Sequence, residues 1–576
     1  MGVAQSIGAL GLPLMLNMRY ERTCDETLTE EQCAWGGERW RNWYIADYVY
    51  GQGLVYFAST VLGFFTLLHL LQLLRHRRAG NKAVNFFGYR SFFALARAAF
   101  GRQYRVGGYY TATSGVIALI LAFIVFSAGI SLGPKPYYWP ETGSDFLYGS
   151  SPPLATRSGW LALAMLPFLV ILASKANPIT LFTGVSHEKL QVLHHWVSWI
   201  MFVLSLLHTF PFIVIFIHEG VMESQWAMNK QLWTGVLCLV PQTVMMILSL
   251  GPIRNRYYEM FKTFHLILAM LFIVTLFIHC DSILTSWWYF IALAVVYISS
   301  LIYRWSIATF RNGFSRRAQV HVLDSSLLRL DIPTSLKWSP GQHYFFRFLL
   351  GEGDLHRFTS HPFTVASVPE DGKIELIVKV RDGITLRLAE LESVPVVLDG
   401  PYGGLQGKME AFAHVLLMAG GSGGSFILSI FRHLLALKET SVKSITVVYS
   451  TRSTELLKAF STALSDAQAS TNFTSSTTLI DLHLHLTGSH SSTPSLCASS
   501  SAEKEADQSS PAVGRPSLGS FIAKAAVQEG SLAVAVCGPP GMGYDARKEV
   551  AEVQMGILRG KQGVSECWLH SEEFRW

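Results

Sequence analysis

The amino-acid sequence predicts a multi-domain membrane protein, in which a bundle of about seven transmembrane α-helices precedes an antiparallel β-barrel and an α/β domain. Two observations carry this prediction. Half of the 576 residues are hydrophobic and only 15% are charged, which is too apolar for a soluble chain of this length. The long apolar runs stop near residue 303, and short alternating segments with glycine-rich turns follow from about residue 315.

Seven apolar runs are long enough to cross a bilayer, whose hydrocarbon core is about 30 Å thick. Residues 1–46 precede the first run and are predicted to form an extracytoplasmic segment. The third run is short, and it is the weakest of the seven. The predicted spans are Tyr48–Leu74, Ser114–Leu132, Gly159–Ala173, Leu190–Ile217, Leu232–Leu250, Tyr258–Cys280 and Trp287–Tyr303.

The distribution of lysine and arginine predicts the orientation of these spans. Basic residues are frequent after the first run, between Arg75 and Arg105, and again after the fifth and seventh runs, whereas the alternate loops contain few. Short cytoplasmic loops carry such an excess, so the N-terminus is predicted outside and the C-terminal half in the cytosol. Because the basic residues cluster at the ends of apolar runs, the net charge of +6 does not indicate a nucleic-acid partner.

Two of the predicted spans carry pairs of histidines at one spacing. His194 and His208 are 14 residues apart, and so are His265 and His279. On an α-helix, 14 residues rise about 21 Å and return to within about 40° of the same face. The predicted topology runs both helices from the cytosol to the exterior, which places His194 opposite His265 and His208 opposite His279. Two haem groups with bis-histidine ligation would be held in this way across the membrane.

A bland interpretation of each histidine is also available, because a single histidine in an apolar helix is more often a packed residue than a ligand. Ionisable groups inside a span are costly and usually functional, and one spacing found on two spans favours ligation. His195 stays open as an alternative to His194, since it precedes His208 by 13 residues. The equal spacing favours His194.

The C-terminal half changes from apolar runs to strands. Alternating and β-branched segments between residues 315 and 402 predict a small antiparallel barrel. Strand, glycine-rich turn and helix then follow one another, which predicts a parallel α/β sheet. A Ser-rich segment, 487–514, is predicted to be a disordered insertion in that domain. The predicted strands include His343–Phe348, Phe363–Val365, Ile374–Val380, Val415–Met418, Ile445–Tyr449, Leu479–Leu486 and Leu532–Val536.

Two strand ends in the α/β domain carry glycine-rich turns. One turn comprises Gly420, Gly421, Gly423 and Gly424, and it opens a helix. The other comprises Cys537, Gly538 and Pro539. Glycines let the backbone approach a pyrophosphate, whose charge is favoured at a helix N-terminus and at the carboxyl ends of parallel strands. Alone, either turn is a weak signal, because glycine also serves tight packing turns.

The predicted barrel carries two further motifs. The first comprises His361, Pro362, Phe363 and Thr364, and the second comprises Arg381, Gly383 and Thr385. An arginine followed by Gly-x-Thr offers a cation, free N–H groups and a hydroxyl to a second phosphate. The alternative is that both motifs are ordinary barrel turns.

The order of these motifs, together with Gly400-Pro401-Tyr402-Gly403 and the C-terminal Phe574-Arg575-Trp576, resembles the ferric reductase/NADPH oxidase superfamily over roughly residues 181–576. Seven spans, the uniform spacing of 14 and the Phe-x-Trp terminus resemble fungal ferric-chelate reductases more than superoxide-producing oxidases. The resemblance implies a ferredoxin-reductase-like module. The implied domains are 1–46, a di-haem transmembrane domain at 47–308, a FAD-binding barrel at 314–405 and an NADPH-binding domain at 412–576.

The resemblance also implies roles for single residues. FAD would contact the His361–Thr364 motif, with Arg381, Gly383 and Thr385 near its diphosphate, and Trp576 or Phe574 would stack on the flavin. NADPH would contact both glycine-rich turns, with Cys537, Gly538 and Pro539 beside the nicotinamide. Arg452 and Arg515 match positions at the adenosine phosphate, where two guanidiniums suit NADPH; the alternative for each is a solvated surface charge.

The implied function is transmembrane electron transfer from cytosolic NADPH through FAD and two b-type haems to extracytoplasmic ferric or cupric chelates, in support of iron uptake. A flavin links two-electron hydride donors to one-electron haems, and no acid–base residue is predicted. The implied location is the plasma or vacuolar membrane, with coupling to an iron-uptake permease or oxidase. The alternatives are a superoxide-generating NADPH oxidase and, outside enzymes, a channel or receptor with a nucleotide-sensing domain.

Overall fold

The computed structural model describes residues 38–39, 42–78, 87–139, 151–351, 359–405, 407–437, 440–470, 478–488 and 512–573. The chain divides into two compact units. The first comprises Met1–Leu70 and Ala118–Leu301, and the second comprises Leu71–Ile117 and Ile302–Trp576. The two aromatic residues that the sequence offers for flavin stacking, Phe574 and Trp576, lie outside the described residues.

Helices form almost all of the described chain up to residue 306. In chain order the elements are α1 (Gln52–Arg78), α2 (Phe87–Phe100), β1 (Gln103–Val106), β2 (Tyr109–Thr113), α3 (Ser114–Leu132), α4 (Pro153–Ala173), α5 (Pro178–Thr183), α6 (His187–His218), α7 (Met222–Met228), α8 (Lys230–Leu248), α9 (Gly251–Arg256), α10 (Tyr258–Cys280) and α11 (Ser286–Ser306). A π-helical turn, Asp47–Gly51, precedes α1.

Seven of the described helices are long and apolar enough to cross a membrane, as the sequence predicts. They are α1 with its preceding turns, α3, α4, α6, α8, α10 and α11. Helix α4 has the largest buried share of these seven. Its neighbour is α6, against which Leu161, Met165 and Leu166 pack with Val197 and Met201 in one apolar cluster.

The predicted third span begins too late in the sequence. Helix α4 starts at Pro153, where a proline is well suited because the first N–H of a helix has no partner inside it. Its first turns contain Arg157, which interrupts the apolar pattern yet is almost fully buried. The guanidinium of Arg157 donates to the carbonyl oxygens of Ser131, Pro134 and Pro136 at 3.2, 2.9 and 3.3 Å. Carbonyl partners thus keep a charged residue inside a helix that composition alone ends early.

An antiparallel sheet of six strands opens the C-terminal part of the second unit. Its elements are β3 (Arg316–Asp324), β4 (Leu327–Pro333), β5 (Gln342–Phe348), β6 (His361–Thr364), β7 (Lys373–Lys379), α12 (Ile384–Leu388) and β8 (Ser393–Gly403). The strand order is β6-β5-β8-β3-β4-β7, and all neighbours are antiparallel. The N–H of Ala366 donates to the carbonyl of Glu375 at 2.8 Å, which brings the end of β6 to β7 and curls the sheet towards a barrel.

A parallel sheet of six strands follows. Its elements are β9 (His414–Gly420), α13 (Gly424–Ala436), β10 (Ser444–Thr451), α14 (Thr454–Ser470), β11 (Leu479–Leu486), β12 (Ala512–Val513), α15 (Leu518–Ala526), β13 (Gly530–Cys537), α16 (Pro540–Leu558) and β14 (Val564–Glu572). The order is β12-β11-β10-β9-β13-β14. The chain enters at β9, moves out to β12 and returns to β13, so the order reverses beside β9. Ligands bind at such a reversal in open α/β sheets.

The predicted insertion, 487–514, is too long at both ends. The N–H of Thr487 donates to the carbonyl of Thr451 at 2.8 Å, and the N–H of Gly514 donates to that of Leu486 at 2.9 Å. Between them, Ala512 and Val513 pair with β11 as a strand. These hydrogen bonds extend the sheet, which a serine-rich composition does not reveal; residues 489–511 lie outside the described residues.

Candidate functional site

The four histidines at the 14-residue spacing form two facing pairs between α6 and α10. The ring centres of His194 and His265 are 6.3 Å apart, and those of His208 and His279 are 6.1 Å apart. Two metal–nitrogen bonds of about 2 Å, with about 1 Å from each nitrogen to its ring centre, require about 6 Å. Each pair therefore has the separation that one metal atom between two imidazoles needs. The pairs are those that the sequence predicts, and their role as haem ligands stays a prediction.

Hydrogen bonds at Nδ1 orient three of these rings. His194 Nδ1 lies 2.8 Å from the carbonyl oxygen of Leu169, and His208 Nδ1 lies 2.8 Å from that of Ala155. A carbonyl only accepts, so Nδ1 carries the proton and the Nε2 lone pair is left for a metal. Metal-bound histidines are usually held by a partner of this kind. Both carbonyls belong to α4.

The remaining two rings differ from each other. Thr234 Oγ1 donates its hydrogen to the carbonyl of Lys230 at 2.8 Å and lies 3.2 Å from His279 Nδ1, so the hydroxyl accepts from the imidazole. His265 Nδ1 is buried and has no hydrogen-bond partner among the described residues. Thus three of the four imidazoles have a fixed tautomer, and His265 is the exception.

Two glycines leave room for the rings of His208 and His279. A Cβ atom on Gly159 would lie 2.6 Å from His208 Nδ1, and one on Gly235 would lie 3.2 Å from His279 Cε1. Real Cβ atoms essentially never approach below 3.0 Å. The sequence analysis missed both glycines, although glycine in the interior of a span is a signal, because it costs about 1 kcal/mol of helix stability relative to alanine.

The geometry separates His194 from its neighbour in sequence. The ring of His195 contacts Trp196 and Trp199, with centres 6.3 and 6.5 Å apart. The ring of His194 instead faces His265. The alternative that the sequence leaves open, His195 as ligand, is therefore less favoured than His194.

The two glycine-rich turns of the α/β domain lie side by side, because β9 and β13 are paired neighbours. A Cβ on Gly420 would lie 3.0 Å from Pro539 Cδ, and one on Gly423 would lie 2.4 Å from the carbonyl oxygen of Cys537. The glycines thus allow the two strand ends to touch. This contact brings five of the predicted dinucleotide-binding residues, Gly420, Gly423, Cys537, Gly538 and Pro539, into one place at the reversal of strand order.

The four glycines of the first turn have different physical roles. A Cβ on Gly424 would lie 2.5 Å from the ring of Phe460, so Gly424, like Gly423, is required for packing. Gly421 has a φ of +56° and open space around the position of its missing Cβ. Of the four, Gly421 is the one that the fold leaves open to a ligand. Helix α13 begins at Gly424, and its N-terminus favours an anion there.

Arg452 and Arg515 follow the carboxyl ends of β10 and β12, and both are exposed. These strands flank β11 in the sheet. Strands are spaced by about 4.8 Å, so the two backbones lie about 10 Å apart at one edge. Two long guanidinium side chains at this separation are able to reach a common phosphate, and their assignment to NADPH stays a prediction.

The His361–Thr364 motif forms strand β6, which pairs with β5 along one edge of the antiparallel sheet. Thr359 Oγ1 and His361 Nε2 lie 2.8 Å apart. The second motif is a turn: the N–H of Arg381 donates to Thr385 Oγ1 at 2.7 Å, and that hydroxyl donates to the carbonyl of Arg381 at 2.8 Å. Because Thr385 has already given its hydrogen, its hydroxyl has none for a phosphate in this conformation. Arg381 is exposed.

A charged cluster that the sequence analysis did not assemble lies at the end of β8. Arg304 and the hydroxyl of Tyr402 bind opposite oxygens of Asp399, each at 2.5 Å. Burial and the neighbouring carboxylate raise the pKa of Tyr402 well above its usual value, so the phenol stays protonated and donates. The cluster fixes the Asp399–Tyr402 turn, whose sequence carries part of the family resemblance.

Three family models match this chain. They are "Ferric reductase like transmembrane component" over residues 158–276, "FAD-binding domain" over 312–406 and "Ferric reductase NAD binding domain" over 412–551. The chain belongs to the ferric reductase superfamily. His194, His208 and His265 fall inside the first range, and His279 lies three residues beyond its end. The FAD-binding and NAD-binding modules expected from the sequence are therefore present.

Relatives with names include several fungal reductases. The chain is 32% identical to "Probable cell surface ferric reductase kap2" of Aspergillus oryzae, over 60% of this chain and 49% of the relative. It is 30% identical to "Ferric/cupric reductase transmembrane component 7" of Saccharomyces cerevisiae, over 59% and 56%. Component 2 of the same yeast is 27% identical over 69% and 59%. The chain thus spans about half the length of the relatives it matches.

Cys537 of the second glycine-rich turn is fully buried. Burial, with a smaller contribution from the negative charge of Glu572, raises the pKa of its thiol well above the usual value. The side chain therefore stays an uncharged thiol at neutral pH. A neutral group of this kind suits a position beside an apolar ring, which is the role that the family resemblance implies for Cys537.

Proposed function

We propose that this ferric reductase superfamily member is an NADPH-dependent, transmembrane ferric-chelate reductase that delivers electrons to extracytoplasmic ferric or cupric chelates and so supports iron uptake. The observation that carries the proposal is the pair of histidine pairs on α6 and α10, with ring separations of 6.3 and 6.1 Å. Matches to FAD-binding and NAD-binding modules on the same chain supply the other half of the argument. When bound, NADPH, FAD and two haems would supply the redox chemistry, since a flavin links hydride donors to one-electron carriers.

The histidines hold their metal from both sides in this proposal. His194 and His265 form one ligand pair, and His208 and His279 form the other. Two imidazoles on each iron leave no open coordination position, which suits electron transfer rather than binding of a substrate at iron. The carbonyls of Leu169 and Ala155 keep Nε2 unprotonated, so the tautomer that binds metal is set before any metal arrives.

The second unit binds the two nucleotide cofactors in this proposal. The His361–Thr364 edge strand, Arg381 and Gly383 contact FAD, and the C-terminal aromatic, Trp576, covers the flavin. Gly421 and the N-terminus of α13 receive the NADPH pyrophosphate, while Cys537, Gly538 and Pro539 border the nicotinamide. Arg452 and Arg515 bind the 2′-phosphate, because only charged donors offset its charge, and this selects NADPH over NADH.

The proposed setting follows from the loop charges. The second unit lies in the cytosol, where NADPH is available, and the acceptor meets the His208/His279 pair on the exterior side. The chain resides in the plasma membrane or the vacuolar membrane and passes reduced metal to an iron-uptake permease or oxidase. No acid–base residue is required, since the protein's part is to position cofactors and to exclude water.

The test uses the full chain in lipid nanodiscs, loaded with haem and FAD. We expect an absorption spectrum typical of six-coordinate haem and rapid NADPH-dependent reduction of ferric-EDTA that superoxide dismutase does not slow. His194→Ala and His208→Ala should each remove one haem, whereas His195→Ala, on the same helix, should keep both. Superoxide formed without ferric chelate would favour the oxidase alternative. A haem spectrum that survives both ligand substitutions would overturn the proposal.

A further inference from the structure

Helix α2 and the hairpin β1–β2 carry an apolar face that the described protein does not cover. We propose that this face lies on the cytosolic surface of the bilayer, at the boundary between headgroups and acyl chains. Exposed fractions of its large side chains are 60% for Phe92, 55% for Leu95, 57% for Phe100, 51% for Tyr104, 65% for Val106 and 81% for Tyr109. Phe92, Leu95 and the exposed Ala99 recur at helical spacing.

The other face of α2 is already used for packing within the second unit. Ala94 and Ala98 are buried, and the guanidinium of Arg97 donates to Glu566 Oε1 at 3.1 Å and to the carbonyl oxygen of Cys567 at 2.9 Å. Both acceptors belong to β14. Because α2 has one face on the protein, its exposed apolar face is a second, separate surface. Soluble domains rarely expose contiguous apolar patches of this kind without a partner.

The position of α2 in the chain identifies that partner as lipid. Strand β2 ends at Thr113 and the membrane-spanning helix α3 begins at Ser114, with no residue between them. The N–H of Ser114 donates to the carbonyl of Arg102 at 2.7 Å, and its hydroxyl donates to that of Ala99 at 2.5 Å. The C-terminal end of α2 is therefore bound to the first residue of a span, which fixes this end at the level where the chain enters the bilayer.

Length and composition agree with a helix that lies on the membrane rather than in it. Helix α2 has 14 residues, about 21 Å, which is too short to cross the hydrocarbon core. Arg102 and Arg105 border the patch, and both are exposed. Basic residues beside aromatic and aliphatic ones favour the anionic cytoplasmic leaflet, and tyrosine prefers the interface. These properties fit lipid better than a protein partner.

The same segment contacts the region of the nucleotide-binding turn. A Cβ on Gly541 would lie 3.0 Å from the hydroxyl of Tyr110, and the ring of Tyr110 lies 5.2 Å from that of Tyr544 on α16. Arg547 Nη1 lies 3.2 Å from Gln103 Oε1 and 3.1 Å from Glu573 Oε1. Lipid binding by the exposed face would therefore hold α16, which starts at the Cys537–Pro540 turn, at the membrane surface.

The test places a fluorescent amino acid, acridonylalanine, at position 95 of the full chain in nanodiscs that contain anionic lipid and one protein copy. Quenching is measured with lipids that carry a nitroxide near the headgroup, and separately with dissolved iodide. We expect strong quenching by the lipid nitroxide and weak quenching by iodide. The same label at position 92 repeats the measurement on the same face, so the result does not depend on one substitution.

Two control positions calibrate the result. Leu121 is exposed on the spanning helix α3, and Val527 is exposed on the α/β domain. Lipid quenching at position 95 should be comparable with that at position 121 and several-fold greater than at position 527. Iodide-dominated quenching at both 95 and 92 would overturn the proposal, because the face would be in water. Protection from both quenchers would also overturn it, because protein would cover the face. The readout requires no electron transfer, so its failure is distinct from failure of the reductase proposal.

Discussion

Gly159→Ala perturbs the His208 ring without touching a proposed ligand. The new Cβ would lie 2.6 Å from His208 Nδ1 and 2.9 Å from Cε1, whereas carbon atoms in contact are separated by about 3.5 Å or more. The helix backbone of α4 holds this Cβ in place, so the imidazole has to move by almost 1 Å. That movement breaks the 2.8 Å hydrogen bond between Nδ1 and the carbonyl of Ala155.

The size of the effect follows from three contributions. Overpacking a buried site costs about 1–3 kcal/mol, and the lost hydrogen bond costs about 1 kcal/mol. Loss of a group that orients a metal ligand lowers metal affinity by about 10–100-fold. We therefore expect the haem content of Gly159→Ala to fall from two per chain towards one, with the His194/His265 haem retained.

Haem per chain is measured by pyridine haemochrome absorbance on protein in nanodiscs. Two further glycines give a graded comparison. Gly235→Ala places its Cβ 3.2 Å from His279, which is a milder conflict, and Gly129→Ala in α3 meets nothing within 4 Å. The expected haem loss is largest for Gly159, smaller for Gly235 and absent for Gly129. Two haems and an unchanged spectrum in Gly159→Ala would refute the assigned role of His208.

Three further predictions concern the second unit. Gly424→Ala should lower the unfolding temperature, because its Cβ would lie 2.5 Å from the Phe460 ring, whereas Gly421→Ala, at a φ of +56°, should cost only about 1–2 kcal/mol and mainly raise the KM for NADPH. Arg452→Ala and Arg515→Ala should each raise the KM for NADPH but not for NADH; equal increases for both nucleotides would identify the arginines as solvated surface charges. Burial raises the pKa of the Cys567 thiol to about 12, above the value of about 8.5 in an unfolded chain, so its stabilising contribution should be complete below pH 8.5 and decline as the pH rises towards 12; thermal unfolding of Cys567→Ala should lack this decline.

Sequence patterns predicted the elements whose environment is uniform. Spans such as Ser114–Leu132 and Tyr258–Cys280 have the bounds that the sequence indicates, because lipid imposes one requirement on every side chain facing it. Strands β5 and β11 were also recognised, since alternation and β-branched residues mark them. In such segments local preference and final environment agree.

Elements with mixed environments were missed. Strand β8 contains Pro395, Gly400 and Pro401, which normally end a strand, yet it pairs with β3 and β5. Strand β14 alternates charged with apolar residues at the edge of the parallel sheet. Helix α2 and its hairpin lack the length of a span, and their packing on β14 depends on Arg97, some 470 residues distant in sequence. Long-range contacts of this kind leave no periodic signal.

The histidine site shows the same division between one helix and its neighbours. The spacing of 14 predicted which rings share a face, because the period of an α-helix is fixed. It did not predict what lies behind those rings. Leu169 and Ala155, whose carbonyls accept from His194 and His208, are ordinary apolar residues of α4, and nothing in their side chains marks them as hydrogen-bond partners.

A signal for these carbonyls nevertheless exists one turn further along α4. A helix carbonyl at position i is shielded by the side chain at i+4, so a second donor reaches it only where that residue is small. The residues four beyond Ala155 and Leu169 are Gly159 and Ala173, and these two are themselves 14 residues apart. The repeat on α6 and α10 is therefore matched by a repeat of small residues on α4, which packs against α6. Two spans with histidines 14 apart, beside a span with small residues 14 apart, form a pattern that a single sequence is able to reveal, and it predicts both the ring pairs and the carbonyls that fix their tautomers.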